Sequence, residues 1–417
     1  MTTTFADLGV PNDIVGTLSR QGITEPFPIQ AAVIRDALAG RDVSGRAPTG
    51  SGKTLAFGIP ILTNVAKSTP NKPRALVLAP TRELAEQIRR ELLPLGKTRR
   101  RFIGSVYGGV GYGPQIQSLR RGVDVLVACP GRLLDLIEQG HVDLSTVQMA
   151  VIDEADRMAD MGFLPDVKRI LDLTPRSRVT WLFSATLDGD VAVLRKRYQK
   201  DPVTHSVGSE FDDHSDARHY FWKVGAKERI AEAAAVIEAG GPAIVFCRTR
   251  RGVDRVAKQL EQAGVSASSI HGGRSQSQRT RALKGFADGR VAALVATDVA
   301  ARGIHVSGVE TVIHFDPADD AKAYLHRSGR TARAGASGVV LSLVSEEVVG
   351  ATKALQRSIG IDAPFTKPDT AQLSEGGFRI DPSVRPKPRT RPMKRPKNHS
   401  GKSGKGRGNR QRHQYYS

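Results

Sequence analysis

The feature that most constrains this chain is a rhythm of apolar runs. Short, unbroken stretches rich in Val, Ile and Leu, at residues 74–79, 123–128, 149–152 and 179–183, alternate with longer segments of helical character. The pattern returns at 243–247, 292–296, 311–315 and 339–344. Runs that are apolar at every position must be covered on both faces, which is the environment of a parallel sheet flanked by helices. Two such series in 417 residues point to two α/β domains rather than one very wide sheet. Between them residues 206–217, SVGSEFDDHSDA, are polar, acidic and without period, and read as a linker. After about residue 361 the rhythm fails, and from 379 onward Pro, Lys, Arg, Gly and Asn dominate. Such a composition cannot bury enough surface to offset chain entropy, so a disordered tail is expected. No solenoid-type repeat is visible.

Charge separates the tail from the rest. Twelve Lys and Arg lie between Arg385 and Arg412, and no acidic residue follows Asp381. Setting those twelve aside from the net +20 leaves +8 for residues 1–384. Nucleic acid, or some other polyanion, is the natural partner of the tail. No run of about 18 apolar residues suggests a membrane span, and residues 1–10 lack the marks of a secretory signal. Two distant cysteines, Cys129 and Cys247, fit a reducing cytoplasm better than a disulfide framework or a zinc site. His271 and the scattered His205, His214 and His219 lack partners at ligand spacing, so structural roles are expected for them.

Ala47, Pro48, Thr49, Gly50, Ser51, Gly52, Lys53 and Thr54 follow a strand-like segment and open a helix-like one. Glycines there let backbone N–H groups turn onto phosphate oxygens, at a helix N-terminus that already favours an anion. Lys53 can then reach the outer phosphates and Thr54 can hold Mg²⁺. Ala47 stands where the general pattern has glycine. Further along, an apolar strand ends in the run Asp153, Glu154, Ala155 and Asp156, three of which carry carboxylates. A magnesium nucleotide site needs this arrangement, with Asp153 toward the metal and Glu154 toward the attacking water. Alone, the acidic run reads equally well as a solvated helix start; the phosphate loop upstream decides.

Asp153, Glu154, Ala155 and Asp156 after that loop, with Ser184, Ala185 and Thr186 beyond, resemble the DEAD-box ATP-dependent RNA helicases. The likeness runs from Phe5 to about Gly335, and the basic tail close behind the core is similar to the bacterial RhlE-like subgroup. The resemblance implies two tandem RecA-like parallel-sheet domains joined by a short linker, plus a disordered basic C-terminal tail. Residues 1–33 would form the adenine-reading region, 34–205 the ATP-binding domain, 206–217 the linker, 218–361 the C-terminal helicase domain and 362–417 the tail. The cofactors implied are ATP and Mg²⁺. Gln30 would bond the adenine edge, Phe5 would stack on its face, and Gly303 would line the nucleotide site. Phe27 stands where threonine is usual in the family, and His305 where aspartate is usual. A change in the Michaelis constant for ATP on His305→Asp is expected, and a constant unaltered from pH 6 to 8 would refute it.

Pro80, Thr81, Arg82, Gly109, Pro130, Gly131 and Arg132 follow apolar runs, and ligands bind at the carboxyl ends of parallel strands. By resemblance they hold the RNA sugar–phosphate chain, with Thr249 and Thr297 doing so from the second half. Cys129 replaces the usual threonine before Pro130. The run from Tyr324 to Arg333 matches the family's arginine element, which implies that Arg330 and Arg333 reach the γ-phosphate across the cleft. Ser184, Thr186, His326 and Arg327 would couple that site to RNA. The activity implied is local, non-processive RNA unwinding or ribonucleoprotein remodelling driven by ATP. Two alternatives stay open on the same motifs: an ATP-gated RNA clamp, and a DNA-acting helicase of the same superfamily. A ribosome or an RNA-degradation complex is among the partners compatible with the tail.

Overall fold

The computed structural model describes residues 3–48, 50–208, 217–301, 308–332, 337–373 and 377–380. The first seven strands are β1 (Val43–Arg46), β2 (Ala75–Leu78), β3 (Ile103–Val106), β4 (Val125–Ala128), β5 (Met149–Asp153), β6 (Val179–Ser184) and β7 (Val203–Ser206). They form one sheet in the order β3-β4-β2-β5-β6-β1-β7, every pair parallel. The next seven are β8 (Ala217–Lys223), β9 (Ala243–Phe246), β10 (Ala267–Ile270), β11 (Ala293–Ala296), β12 (Thr311–His314), β13 (Gly338–Val344) and β14 (Phe365–Thr366). Their order is β10-β11-β9-β12-β13-β8-β14, again all parallel. Each strand of the second sheet sits where the strand seven places earlier sits in the first. The same RecA-like winding therefore occurs twice.

All eight apolar runs are strands. β2, β4, β5, β9, β11 and β12 are buried along their whole length, as continuous apolar character requires. The runs did not disclose the edges. β3, β7, β10 and β14 are short and only partly buried, so no apolar streak marks them. β14 corrects the expected end of the second domain. Phe365 and Thr366 pair with β8, Leu373 and Ile380 are buried, and Phe378 bridges to His219. The fold thus continues past residue 361; a two-residue strand is too short to show any periodicity. Residues 209–216, at the heart of the expected linker, and 381–417, which include the basic run, lie outside the described residues.

Two helices precede β1, Asn12–Arg20 and Pro28–Leu38. Ile14, Leu18, Ile29 and Ile34 from them are fully buried in the first domain's core, so the N-terminal region is part of that domain's packing. Strand order then sorts the motifs. β5, β6 and β1 are neighbours, which gathers the acidic run, Ser184 and the phosphate loop at adjacent carboxyl ends. β3, β4 and β2 form the other half, carrying Gly109, Pro130 and Thr81. Among the described residues no helix is long and apolar enough to cross a membrane.

Candidate functional site

The phosphate loop closes on itself and on its neighbours. Gly52, at φ +83°, ends the loop and starts the helix Lys53–Asn64. Lys53 Nζ donates to the carbonyls of Ala47 at 2.9 Å and Pro48 at 2.7 Å, which places a buried ammonium inside the loop. Ser51 Oγ donates to the Pro48 carbonyl. Ser184 ties three motifs together: its carbonyl accepts from Ala47 N–H at 3.1 Å, and its Oγ accepts from Asp156 N–H at 3.2 Å. Thr186 is half-buried close by. Thr49 lies outside the described residues.

The two central carboxylates differ in environment. Asp153 ends β5, and burial pushes its carboxyl up, against the pull of the Lys53 ammonium. Glu154 has left-handed backbone, φ +52°, which costs an ordinary side chain about 1–3 kcal/mol and is tolerated where surrounding structure enforces it. Its carboxylate is paired with Arg157, one helical turn on, and both side chains are buried. Arg157 escaped the sequence reading, though the spacing of three on a helix was available as a signal. Thr54 also has an unforeseen neighbour. Glu91 is that neighbour; burial pushes its carboxyl up, and the nearby Thr54 hydroxyl opposes the shift.

At the far end of the loop the structure rearranges the expected base-binding residues. Gln30 is buried; its Nε2 donates to the Gly52 carbonyl at 2.9 Å and its Oε1 accepts from Phe27 N–H at 2.9 Å. Phe5 is 1% exposed and belongs to the hydrophobic core, so it offers no open face for stacking, contrary to the expectation. Burial depends on where the preceding segment packs, which local sequence does not state. Phe27 is 55% exposed beside Gln30.

The other half of the first sheet presents helix N-termini. Thr81 caps the helix Arg82–Thr98, its hydroxyl accepting from Leu84 N–H. Arg82 passes directly over Gly109, φ +78°, where any Cβ would collide with the guanidinium. Arg132 donates to the Val110 carbonyl at 3.1 and 3.2 Å and lies 3.9 Å over the Tyr112 ring, so it holds the glycine loop rather than standing free. Pro130 and Gly131 open the helix Pro130–Glu138 after β4. Burial pushes the thiol of Cys129, its N-cap, up to about 12. Thr249 repeats the Thr81 arrangement after β9, accepting from Gly252 N–H at 3.0 Å, and Thr297 follows β11.

In the second domain the arginines of helix Ala321–Ser328 and its continuation part company. Arg327 is buried and forked on Asp298 at 2.6 and 2.7 Å, with a third bond to the Asp316 carbonyl. It clamps its own domain. Arg330 is buried, with Nε donating to the His326 carbonyl at 3.3 Å. Gly303, His305 and Arg333 lie outside the described residues. His271 uses both ring nitrogens inside its domain, on Asp254 and Gly273 N–H, and His205 sits 2.8 Å from Asp36.

The domains meet at contacts between residues that no local pattern pairs. Glu83, in the first turn after Thr81, lies 3.1 Å from Arg279 Nη2 and accepts from Gln276 Nε2 at 3.2 Å. Both Glu83 and Arg279 side chains are 7% exposed, and the pair is out of line for a hydrogen bond, so its attraction is electrostatic. Lys322 reaches Asp160 at 2.7 Å as a second, more exposed crossing.

Comparison with known proteins places these features in a family. The DEAD/DEAH box helicase model matches residues 27–193 and the helicase conserved C-terminal domain model matches residues 227–335. The DEAD-box ATP-dependent RNA helicase CshA of Bacillus subtilis is 38% identical over 360 residues, covering 86% of this chain and 73% of that protein. DEAD-box ATP-dependent RNA helicase 9 of rice is 41% identical over 387 residues, covering 89% of this chain and 61% of that protein. This chain spans between half and two thirds of the plant relatives' length. Among solved structures, S. cerevisiae Dbp5 bound to RNA and ADP BeF3 aligns with a TM-score of 0.76 at 26% identity, over 89% of this chain and 97% of that one. With both helicase domains matched in order, and a bacterial relative aligned over most of its length, the chain belongs to the DEAD-box RNA helicase family.

Proposed function

We propose that this chain is an RNA-stimulated ATPase that uses closure of its two domains to separate short RNA duplexes locally. One observation carries the reading: Glu83, Gln276 and Arg279 join the two rows of helix N-termini into one edge. Thr81 and Pro130 start helices on one side, Thr249 starts one on the other, and Thr297 follows β11 on the same side. Such an edge suits sugar–phosphate contacts that ignore sequence, with Arg82 and Gly109 setting how closely the strand approaches. Because neither domain completes the groove or the phosphate site alone, ATP and RNA each favour closure and strengthen the other's binding.

At the nucleotide, Lys53 and the loop N–H groups neutralise phosphate. Thr54 hydroxyl and the buried Asp153 carboxylate are a hard-oxygen pair that fits Mg²⁺, which would add positive charge at the phosphates. Glu154 orients the attacking water, and Arg330 with Arg333 supply charge from the second domain, a contribution of about 10³–10⁵ in rate. Gln30 has one amide hydrogen and one Oε1 lone pair left after its bonds to Gly52 and Phe27. That remainder matches the N7 acceptor and N6 donor of adenine, whereas guanine presents two acceptors there. Ser184, bonded to both the phosphate loop and Asp156, is the coupling residue best supported by geometry. The Cys129 and Cys247 thiols are free, which suits the cytoplasm.

ATP turnover with and without RNA, for wild type and Glu154→Gln, tests the reading. RNA should raise wild-type turnover several-fold, and the variant should lose turnover while keeping ATP-dependent RNA binding. Turnover indifferent to RNA, or stimulated equally by DNA, overturns it, and displacement of a short RNA strand separates unwinding from clamping. The basic run 385–412 is proposed as an RNA tether, of a composition that suits an RhlE-like subgroup and with a ribosome or RNA-degradation complex as its docking partner. Ending the chain at Asp381 should weaken RNA binding and flatten its salt dependence; an unaltered salt slope rules the tether out.

A further inference from the structure

We infer that the ring of Phe27 is the platform on which the nucleotide base stacks. This rests on the ATP reading of the same site and names a residue that reading did not assign. Phe27 is the N-cap of helix Pro28–Leu38 and is more than half exposed. Its backbone N–H holds Gln30 Oε1, and its ring edge lies so near the phosphate loop that a Cβ on Gly52 would come within 2.5 Å of Phe27 Cδ2 and of Gln30 Nε2. Ring, amide and loop therefore share one corner. The other exposed aromatics among the described residues are elsewhere: Phe102 precedes β3, Tyr112 lies under Arg132, and Phe378 bridges to β8. An aromatic face left in water beside a triphosphate loop is a surface that a flat base would cover.

Stacking on one aromatic contributes about 5- to 150-fold in affinity and accepts any base, because every base has a π-face. Edge recognition by Gln30 is selective. The two residues thus divide affinity from choice: Phe27 strengthens binding of ATP and GTP alike, and Gln30 separates them.

The test measures RNA-saturated turnover against ATP concentration for wild type, Phe27→Ala and Phe27→Tyr. Phe27→Ala should raise KM for ATP about tenfold with kcat within about twofold, and Phe27→Tyr should restore KM. Inhibition by inorganic tripolyphosphate, which has no base, should be unchanged in all three. A KM left unaltered by Phe27→Ala overturns the proposal, as does equal loss of tripolyphosphate binding, which would mean a deformed loop. Phe27→Trp gives a direct readout, since Trp181 and Trp222 are fully buried: its emission should be quenched by ADP. An unresponsive emission in a chain that still hydrolyses ATP defeats the platform alone. Absence of RNA-stimulated turnover in the wild type would instead defeat the underlying function.

Discussion

Replacing Arg279 with methionine should uncouple the two ligands without unfolding either domain. At 3.1 Å, with an effective dielectric near 20, the attraction between Glu83 and Arg279 is about 5 kcal/mol. Most of it offsets the desolvation of two side chains that are each 7% exposed. Removing one partner of such a pair leaves the other charge buried alone, and costs about 3–5 kcal/mol. Because the partners sit on different domains, that cost falls on closure rather than on the folding of either sheet. At 1.4 kcal/mol per factor of ten, the closing equilibrium should fall by about two to three and a half orders of magnitude. The assay is anisotropy of a labelled single-stranded RNA, titrated with and without a non-hydrolysable ATP analogue. Wild type should bind RNA much more tightly with the analogue. In Arg279→Met most of that gain should vanish, and Glu83→Gln in the same chain should return part of it by removing the stranded charge. A variant that keeps its full nucleotide-dependent gain would refute the reasoning. So would an equal loss of RNA affinity without nucleotide, which would make Arg279 a plain RNA contact.

Asp298→Ala should lower the unfolding free energy of the second domain by about 3 kcal/mol, because Arg327 would be left buried without its fork. Urea denaturation measures this, and a loss below about 1 kcal/mol would mean the Asp316 carbonyl suffices. Burial holds both the Cys129 and Cys247 thiols up to about 12, so each stays protonated at pH 8. Iodoacetamide should therefore label neither in the native chain and both after denaturation; rapid native labelling would contradict the burial. Phe5→Leu should lower thermal stability while leaving KM for ATP within about twofold, as befits a core residue. A tenfold rise in that KM would return the stacking role to Phe5.

Much of this protein was legible because its chemistry is local. The interior strands carry unbroken apolar runs, since both faces of a parallel sheet are covered, and eight of the fourteen strands among the described residues were visible on that ground alone. The phosphate loop and the acidic run at Asp153–Asp156 are contiguous, so residue order states their chemistry directly. Edge strands such as β7 and β14 are half-solvated and carry no such mark. Arg132 shows the limit of motif reasoning: its type and position suit a phosphate contact, yet its guanidinium also holds the Val110 carbonyl, a neighbour that no local pattern names.

Sequence alone, then, determined the α/β class, the two-domain layout and the family's motifs, because apolar period and contiguous polar chemistry are written in residue order. Tertiary structure alone decided which aromatic faces solvent, which arginines are committed, and that Glu83 meets a glutamine 193 positions away. It also decided the winding order that the two sheets share, which the recurring apolar runs do not state. The physical reason is shared: burial and pairing depend on what packs against a residue, and that neighbour is supplied by distant chain.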